Sequence, residues 1–133
     1  METTATANTA IERYLEQESF ARLKSTQGKI ANYSAAFDQD WEYAFIWKAD
    51  DMYAAQVEQK LLNTLFRVAD KQGYAAAYME MDKYLTQFID NMWNIRESST
   101  NAISNEASTI KYRAYHALRS WLREVMQESV DLG

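Results

Sequence analysis

The sequence contains no cysteine and no proline, and only three of its 133 residues are glycine. Without cysteine, the chain can form neither disulfide bonds nor thiolate metal sites, and it has no cysteine nucleophile. An all-β protein with many tight turns needs more glycine and proline than this. The shortage of turn-forming residues therefore favours a helical protein with short connections.

Long apolar runs are also missing, since no stretch approaches the ~18 uncharged apolar residues that a membrane-spanning helix requires. The first residues, METTATANTA, have neither the basic start nor the apolar centre of a secretory signal. The composition, 47% hydrophobic and 25% charged, is typical of a globular domain. We expect one cytoplasmic unit: a flexible N-terminus over residues 1–8 and a single helical domain over 9–133.

The chain is acidic, with 19 acidic and 14 basic residues and a net charge of −5. Binding to nucleic acid or to an anionic membrane requires a positive field, so neither is an expected direct partner. The charge is unevenly distributed, and Lys48 is the one base within an acidic stretch. The acids of that stretch are Asp38, Asp40, Glu42, Asp50 and Asp51. They predict either solvated helix faces or an acidic docking surface.

The hydrophobic periodicity predicts a single-domain, all-α bundle of four to five helices. A capping-box pattern at Thr9 predicts a first helix from about Ala10 that ends at Gly28, where glycine suits a left-handed cap. A further helix is expected from about Met52 to Lys71, closed by Gly73. Its apolar residues cover an arc of about 220°, which predicts that it is the most buried helix.

The second half of the chain contains the clearest helical pattern. From Tyr74 to Glu97, apolar residues alternate at spacings of four and three, which predicts a helix packed along a helical neighbour. The polar composition of Glu97–Ser108 predicts a loop. A last helix is expected from about Ser108 to Val130.

Residues 30–48 fit two structures. Apolar residues recur every three or four positions, as in a helix, but the segment 41–47 also alternates large apolar residues with others, as in a strand. The alanines and the absence of glycine favour a helix. The alternative is an α+β fold with a β-hairpin at about 30–48.

No motif for catalysis, metal binding or cofactor binding is found. No two glycines lie within 40 residues of each other, which excludes a glycine-rich phosphate loop. His116 is the only histidine, and nothing in the sequence suggests a base and an acid beside a nucleophile. The acids at 38, 40 and 42 alternate like calcium ligands but lack the glycine and the distant glutamate of that loop. We therefore expect no enzyme activity, metal or cofactor.

Glu58 falls inside the apolar arc of its helix. A buried carboxylate is costly unless it is paired, so we expect an arginine from another helix to pair with it. Arg96 is one candidate.

One flank of the last helix combines cationic and aromatic groups within about 60° of the helix circumference. These residues are Tyr112, His116, Arg119 and Arg123. They could clamp a carboxylate or phosphate of a partner. The other interpretation is a ladder of salt bridges with acids such as Glu42 or Asp51.

Phe, Trp and Tyr make up 14% of the chain. In a helical segment 41–47, the large apolar side chains cannot all face one core, so some must lie at the surface or in an interface. Aromatic residues often provide the binding energy of interfaces. The candidate anchors are Trp41, Trp47 and Trp93.

Together these features predict a small helical protein-binding or regulatory protein that acts through aromatic and charged surfaces and forms a homo-oligomer, most simply a dimer. One alternative is an acidic inhibitor, such as an immunity or phage protein, that blocks a nucleic-acid-handling enzyme by placing carboxylates where phosphates bind. Another is a structural subunit of an assembly.

Overall fold

A computed structural model describes the backbone of residues 2–98 and 102–132 and the side chains of residues 9–92 and 106–132. In this part of the chain there are five helices and no strand. The helices are α1 (Glu2–Gln39), α2 (Trp41–Trp47), α3 (Ala49–Gln72), α4 (Tyr74–Ser98) and α5 (Ala102–Val130). The predicted all-α bundle is confirmed.

The four long helices form the bundle, and α3 packs against each of the other three. Its Leu62 and Leu65 are almost fully buried, as the wide apolar arc predicts. In α4, the residues at spacings of four and three include Tyr78 and Leu85, which are completely buried. The core is therefore built from the helix faces that the periodicity indicates.

α1 is longer than predicted at both ends. It begins at Glu2, where alanines favour helix, and it passes through Gly28 to Gln39. Gly28 does not adopt a positive φ, so it is an interior helical residue and not a cap. Beyond it, Tyr33 and Phe37 continue the helical spacing and are partly buried. Their packing outweighs the small cost of one glycine.

Residues 41–47 form α2, and the β-hairpin alternative is wrong. Asp40 has an extended backbone, with φ of −151°, and its carboxylate accepts the N–H of Tyr43 at 3.1 Å. This N-cap starts a new helix, which outweighs the strand-like alternation. Only Asp40 separates α2 from α1, and only Lys48 separates it from α3. α2 is therefore held tightly at both ends.

The connection between α4 and α5 is shorter than the predicted loop at Glu97–Ser108. α4 extends to Ser98 and α5 begins at Ala102. Low helix propensity is a weak guide where a helix packs along two neighbours, as α5 does against α3 and α4. In the described part of the chain, no helix combines the length and apolar character needed to cross a bilayer.

Candidate interaction surfaces

The most exposed apolar surface of the described residues is α2. Five of its seven side chains are large, apolar and more than half exposed, and Ala44 is the one that is buried. The exposed residues are Trp41, Tyr43, Phe45, Ile46 and Trp47, which we call the α2 aromatic surface. A helix that is apolar on nearly every side is normally covered by other structure. This surface is therefore the first candidate for an interface.

Two rings of the α2 aromatic surface pack against each other. Trp41 stacks on Phe45 with ring centroids 5.1 Å apart and planes 8° apart. The edge of Phe37, from the end of α1, contacts Trp41 at 6.5 Å. Because these three rings pack against one another, covering them costs less side-chain entropy than covering isolated rings.

Carboxylates surround the α2 aromatic surface in the sequence and are all exposed. They are Asp38, Asp40, Glu42, Asp50 and Asp51. Asp40 caps α2, and Asp50 and Asp51 lie in the first turn of α3, where negative charge stabilises the helix dipole. Within the described side chains, none of the five forms a salt bridge. Their charge is thus free to act on a partner.

A second surface is a groove of about 1000 Å³ between α3, α4 and α5. Its floor consists of buried apolar residues, including Val57, Leu61, Leu65 and Met81. The buried Tyr115 also lines it, and burial raises the pKa of this phenol above its ordinary value. Sequence periodicity did not reveal the groove, because its lining comes from three helices that meet only in the fold.

The rim of this groove carries three charged side chains. Lys60 of α3 and Lys111 of α5 are cationic, and Glu80 of α4 is acidic. Neither lysine forms a salt bridge within the described side chains. The rim is therefore net positive, opposite in sign to the surroundings of α2.

The basic flank of α5 contacts an acid other than those named from the sequence. The Tyr112 and His116 rings lie 5.4 Å apart, and Arg119 approaches His116 at 3.4 Å. Arg123 Nε donates to Asp82 of α4 at 2.8 Å, and this hydrogen bond raises the pKa of the guanidinium. The acid is thus Asp82, and not Glu42 or Asp51, because α4 is the neighbour on this side.

Glu58 is buried and paired with an arginine, as predicted, but the arginine is Arg22 of α1. Arg22 was missed because the apolar residues of α1 show no tight stripe that would orient the helix. Trp93 and Arg96 fall among residues 93–105, whose side chains lie outside the described part of the structure. The placement of Trp93 as an anchor stays a prediction.

Among the described residues, no group of three or more His, Asp or Glu side chains is arranged to hold a metal ion. The described hydrogen bond and ring contact of His116 are with Arg119 and Tyr112, a cation and a phenol. Comparison of the chain with protein-family models, curated proteins and solved structures gives no match. The exposed surfaces are therefore the basis for a functional proposal.

Proposed function

We propose that this chain is a protein-binding module that docks through the α2 aromatic surface. The observation that carries the proposal is the exposure of five large apolar side chains on a seven-residue helix that is fixed between α1 and α3. Contiguous exposed apolar patches mark interaction sites. Aromatic side chains in such patches supply much of the binding energy.

The charges around α2 define the chemistry of the partner. A complementary partner presents an apolar cleft for the Trp41–Phe45 stack and for Trp47, with Lys or Arg at its edge. The exposed carboxylates would steer such a partner into place and repel acidic ones. The module acts by docking and performs no reaction itself.

The test uses the variant Ile46→Gln with Trp47→Gln, called the α2 variant below. These side chains are 61% and 66% exposed and have no ring contact or hydrogen bond among the described residues, so the fold is kept. The matched control is Met79→Gln with Val130→Gln, where the side chains are 69% and 65% exposed elsewhere. Circular dichroism checks that both variants remain helical.

Tagged wild-type chain is used to capture proteins from a nuclease-treated cell lysate, and a captured protein is purified. Its affinity for wild type and for each variant is then measured by calorimetry. We expect the α2 variant to bind at least about tenfold more weakly, a loss of about 1.4 kcal/mol or more, and the control to bind like wild type. Equal affinity of the α2 variant and wild type would contradict docking through α2.

A membrane surface is the other environment in which exposed tryptophan is common. The carboxylates beside α2 disfavour anionic lipid, so the decisive probe is a phosphatidylcholine vesicle. We expect wild-type chain to remain unbound in a vesicle sedimentation assay. If wild-type chain binds these vesicles and the α2 variant does not, the partner of α2 is a lipid surface and not a protein.

A second candidate function is inhibition of a nucleic-acid-handling enzyme. The observation that favours it is the set of five exposed carboxylates around α2, which form no salt bridge with any described side chain. The variant Asp38→Asn, Asp50→Asn and Asp51→Asn neutralises three of them and leaves the Asp40 cap intact. If the captured partner is such an enzyme, we expect this variant to bind and inhibit at least about tenfold less well. Unchanged inhibition excludes this mechanism.

A further inference from the structure

We propose that the groove between α3, α4 and α5 receives α2 from a second copy of this chain, so that the chain associates with itself. The proposal rests on the proposed docking function of α2 and names its partner. It also assigns a function to the groove, which the α2 surface alone does not explain.

The groove is long enough for α2. The groove is lined along α3 from Tyr53 to Val68, a length of about 22 Å at 1.5 Å per residue. α2 has seven residues and is about 10 Å long. The groove is therefore longer than α2, and docking would place apolar side chains of α2 against apolar floor residues.

The charges of the two surfaces are complementary. Lys60 and Lys111 at the rim have no salt bridge among the described residues, and Glu80 is the one acid in the lining. The surroundings of α2 carry five exposed carboxylates. Docking of α2 in the groove would bring carboxylates towards these two lysines, and the opposite charges favour this contact.

Other ways of covering α2 within one kind of chain are less favourable. A symmetric α2-to-α2 contact would place carboxylates of one copy beside those of the other, and like charges repel. The chain's own groove is out of reach, because single residues tie α2 to α1 and to α3. An α2-to-groove contact joins two different surfaces of the chain. It closes as a two-fold dimer where two copies make the contact reciprocally, and otherwise it forms rings or open filaments.

Two complementary variants test the contact. The groove variant is Lys60→Glu with Lys111→Glu, and it keeps a functional α2. The α2 variant keeps a functional groove. In sedimentation velocity we expect wild-type chain to gain mass with concentration and each variant to remain a single chain. An equimolar mixture should form a particle of two chains and no more, because only one compatible α2 and groove remain.

The matched control is Lys24→Glu with Lys83→Glu, which changes the charge equally at exposed lysines outside the groove. It should associate like wild type. Lys60→Glu alone, at an exposed position, provides a milder groove variant if the double variant loses helicity. That single variant should weaken association by at least about tenfold.

Three results would overturn the proposal. They are wild-type chain that stays monomeric up to its solubility limit, a folded groove variant that associates like wild type, and a mixture that remains monomeric. If wild-type chain is monomeric, docking of α2 on a second copy is excluded. The proposed function is not excluded by that result, because it is tested on a captured protein. The proposed function fails separately, when the α2 variant binds that protein like wild type.

Discussion

The guanidinium of Arg22 in α1 donates to the buried carboxylate of Glu58 in α3, with Nε 3.0 Å from Oε1. Thr26 donates its hydroxyl to the other carboxylate oxygen. The Arg22 guanidinium also lies 5.5 Å from the ring centroid of Trp121 in α5. One charged pair therefore joins three helices, and it satisfies a carboxylate that is only 8% exposed.

Replacing Arg22 alone should destabilise the fold more than replacing both Arg22 and Glu58. In Arg22→Met, Glu58 stays buried without its cation, and we expect a loss of about 3 kcal/mol in the free energy of unfolding. In the double variant Arg22→Met with Glu58→Leu, most of this loss should be recovered. Thr26, which loses Glu58 as acceptor, then donates its hydroxyl to the Arg22 backbone carbonyl, 2.9 Å away. Urea unfolding followed by circular dichroism measures both values.

Arg13→Met is the matched control, because Arg13 is exposed on the same helix. Its unfolding free energy should stay within about 0.5 kcal/mol of wild type. If the double variant is as unstable as Arg22→Met, the lost stability does not come from leaving Glu58 buried without its cation.

The same substitution at two glycines should have opposite effects. Gly28 is helical and a Cβ there meets nothing within 4 Å, so Gly28→Ala should stabilise the fold by about 0.5–1 kcal/mol. Gly73 has a φ of 90°, and a Cβ there would lie 2.9 Å from Glu12 Oε1. That carboxylate caps α4 by accepting the Tyr74 N–H at 2.6 Å. Gly73→Ala should therefore destabilise the fold by more than about 1 kcal/mol.

Thermal or urea unfolding of the two single variants measures this difference. Glu12→Ala separates the cap from the glycine conformation, and it should cost about 1–2 kcal/mol. Two alanine variants that change stability in the same direction would contradict the assignment of Gly28 as helical and Gly73 as a C-cap with positive φ.

These glycines also show what the sequence can and cannot predict. A helix end at Gly73 was predicted correctly and one at Gly28 wrongly, although both follow helical segments, because the packing that extends α1 past Gly28 is not a local property. The burial of Glu58 follows from its position on an apolar arc. Its partner does not, because Arg22 is brought to it only when α1 packs on α3.

The candidate site could also be predicted from the sequence only in part. The surplus of aromatic residues at 41–47 predicts that some must be exposed, because a short helix has too little buried face for all of them. The acidic surroundings are visible as a local cluster. The groove is not, since Val57, Met81 and Lys111 are separated in the sequence and meet only through the arrangement of three helices.

The basic flank of α5 is predicted to act mainly within the fold. Arg119 donates to Thr86 at 3.3 Å, and Arg123 pairs with Asp82, so both arginines link α5 to α4. In Arg119→Glu with Arg123→Glu, the new Glu at 123 faces Asp82 and should lower the urea midpoint while the chain remains helical. Affinity for the partner bound through α2 should change by less than about twofold.

Unfolding and calorimetry on the same preparation check this prediction. Asp82→Arg added to the double variant restores an opposite-charge pair and should raise the midpoint again. A double variant with wild-type stability and at least tenfold weaker partner binding would instead make the flank a docking site.

The phenol of Tyr14 in α1 donates a hydrogen bond to Glu128 of α5. This hydrogen bond, desolvation and the charges of nearby glutamates raise its pKa from 10.0 to about 12. A raised pKa in the folded state means that this contribution to stability is present below about pH 10 and is lost between pH 10 and 12. In Glu128→Gln, the pKa should fall towards 10.0, whereas in Glu124→Gln it should change less, because Glu124 acts only through its charge. NMR titration of the Tyr14 Cζ resonance, assigned with Tyr14→Phe, measures the shift. A pKa near 12 in Glu128→Gln would show that burial, and not the carboxylate, controls this phenol.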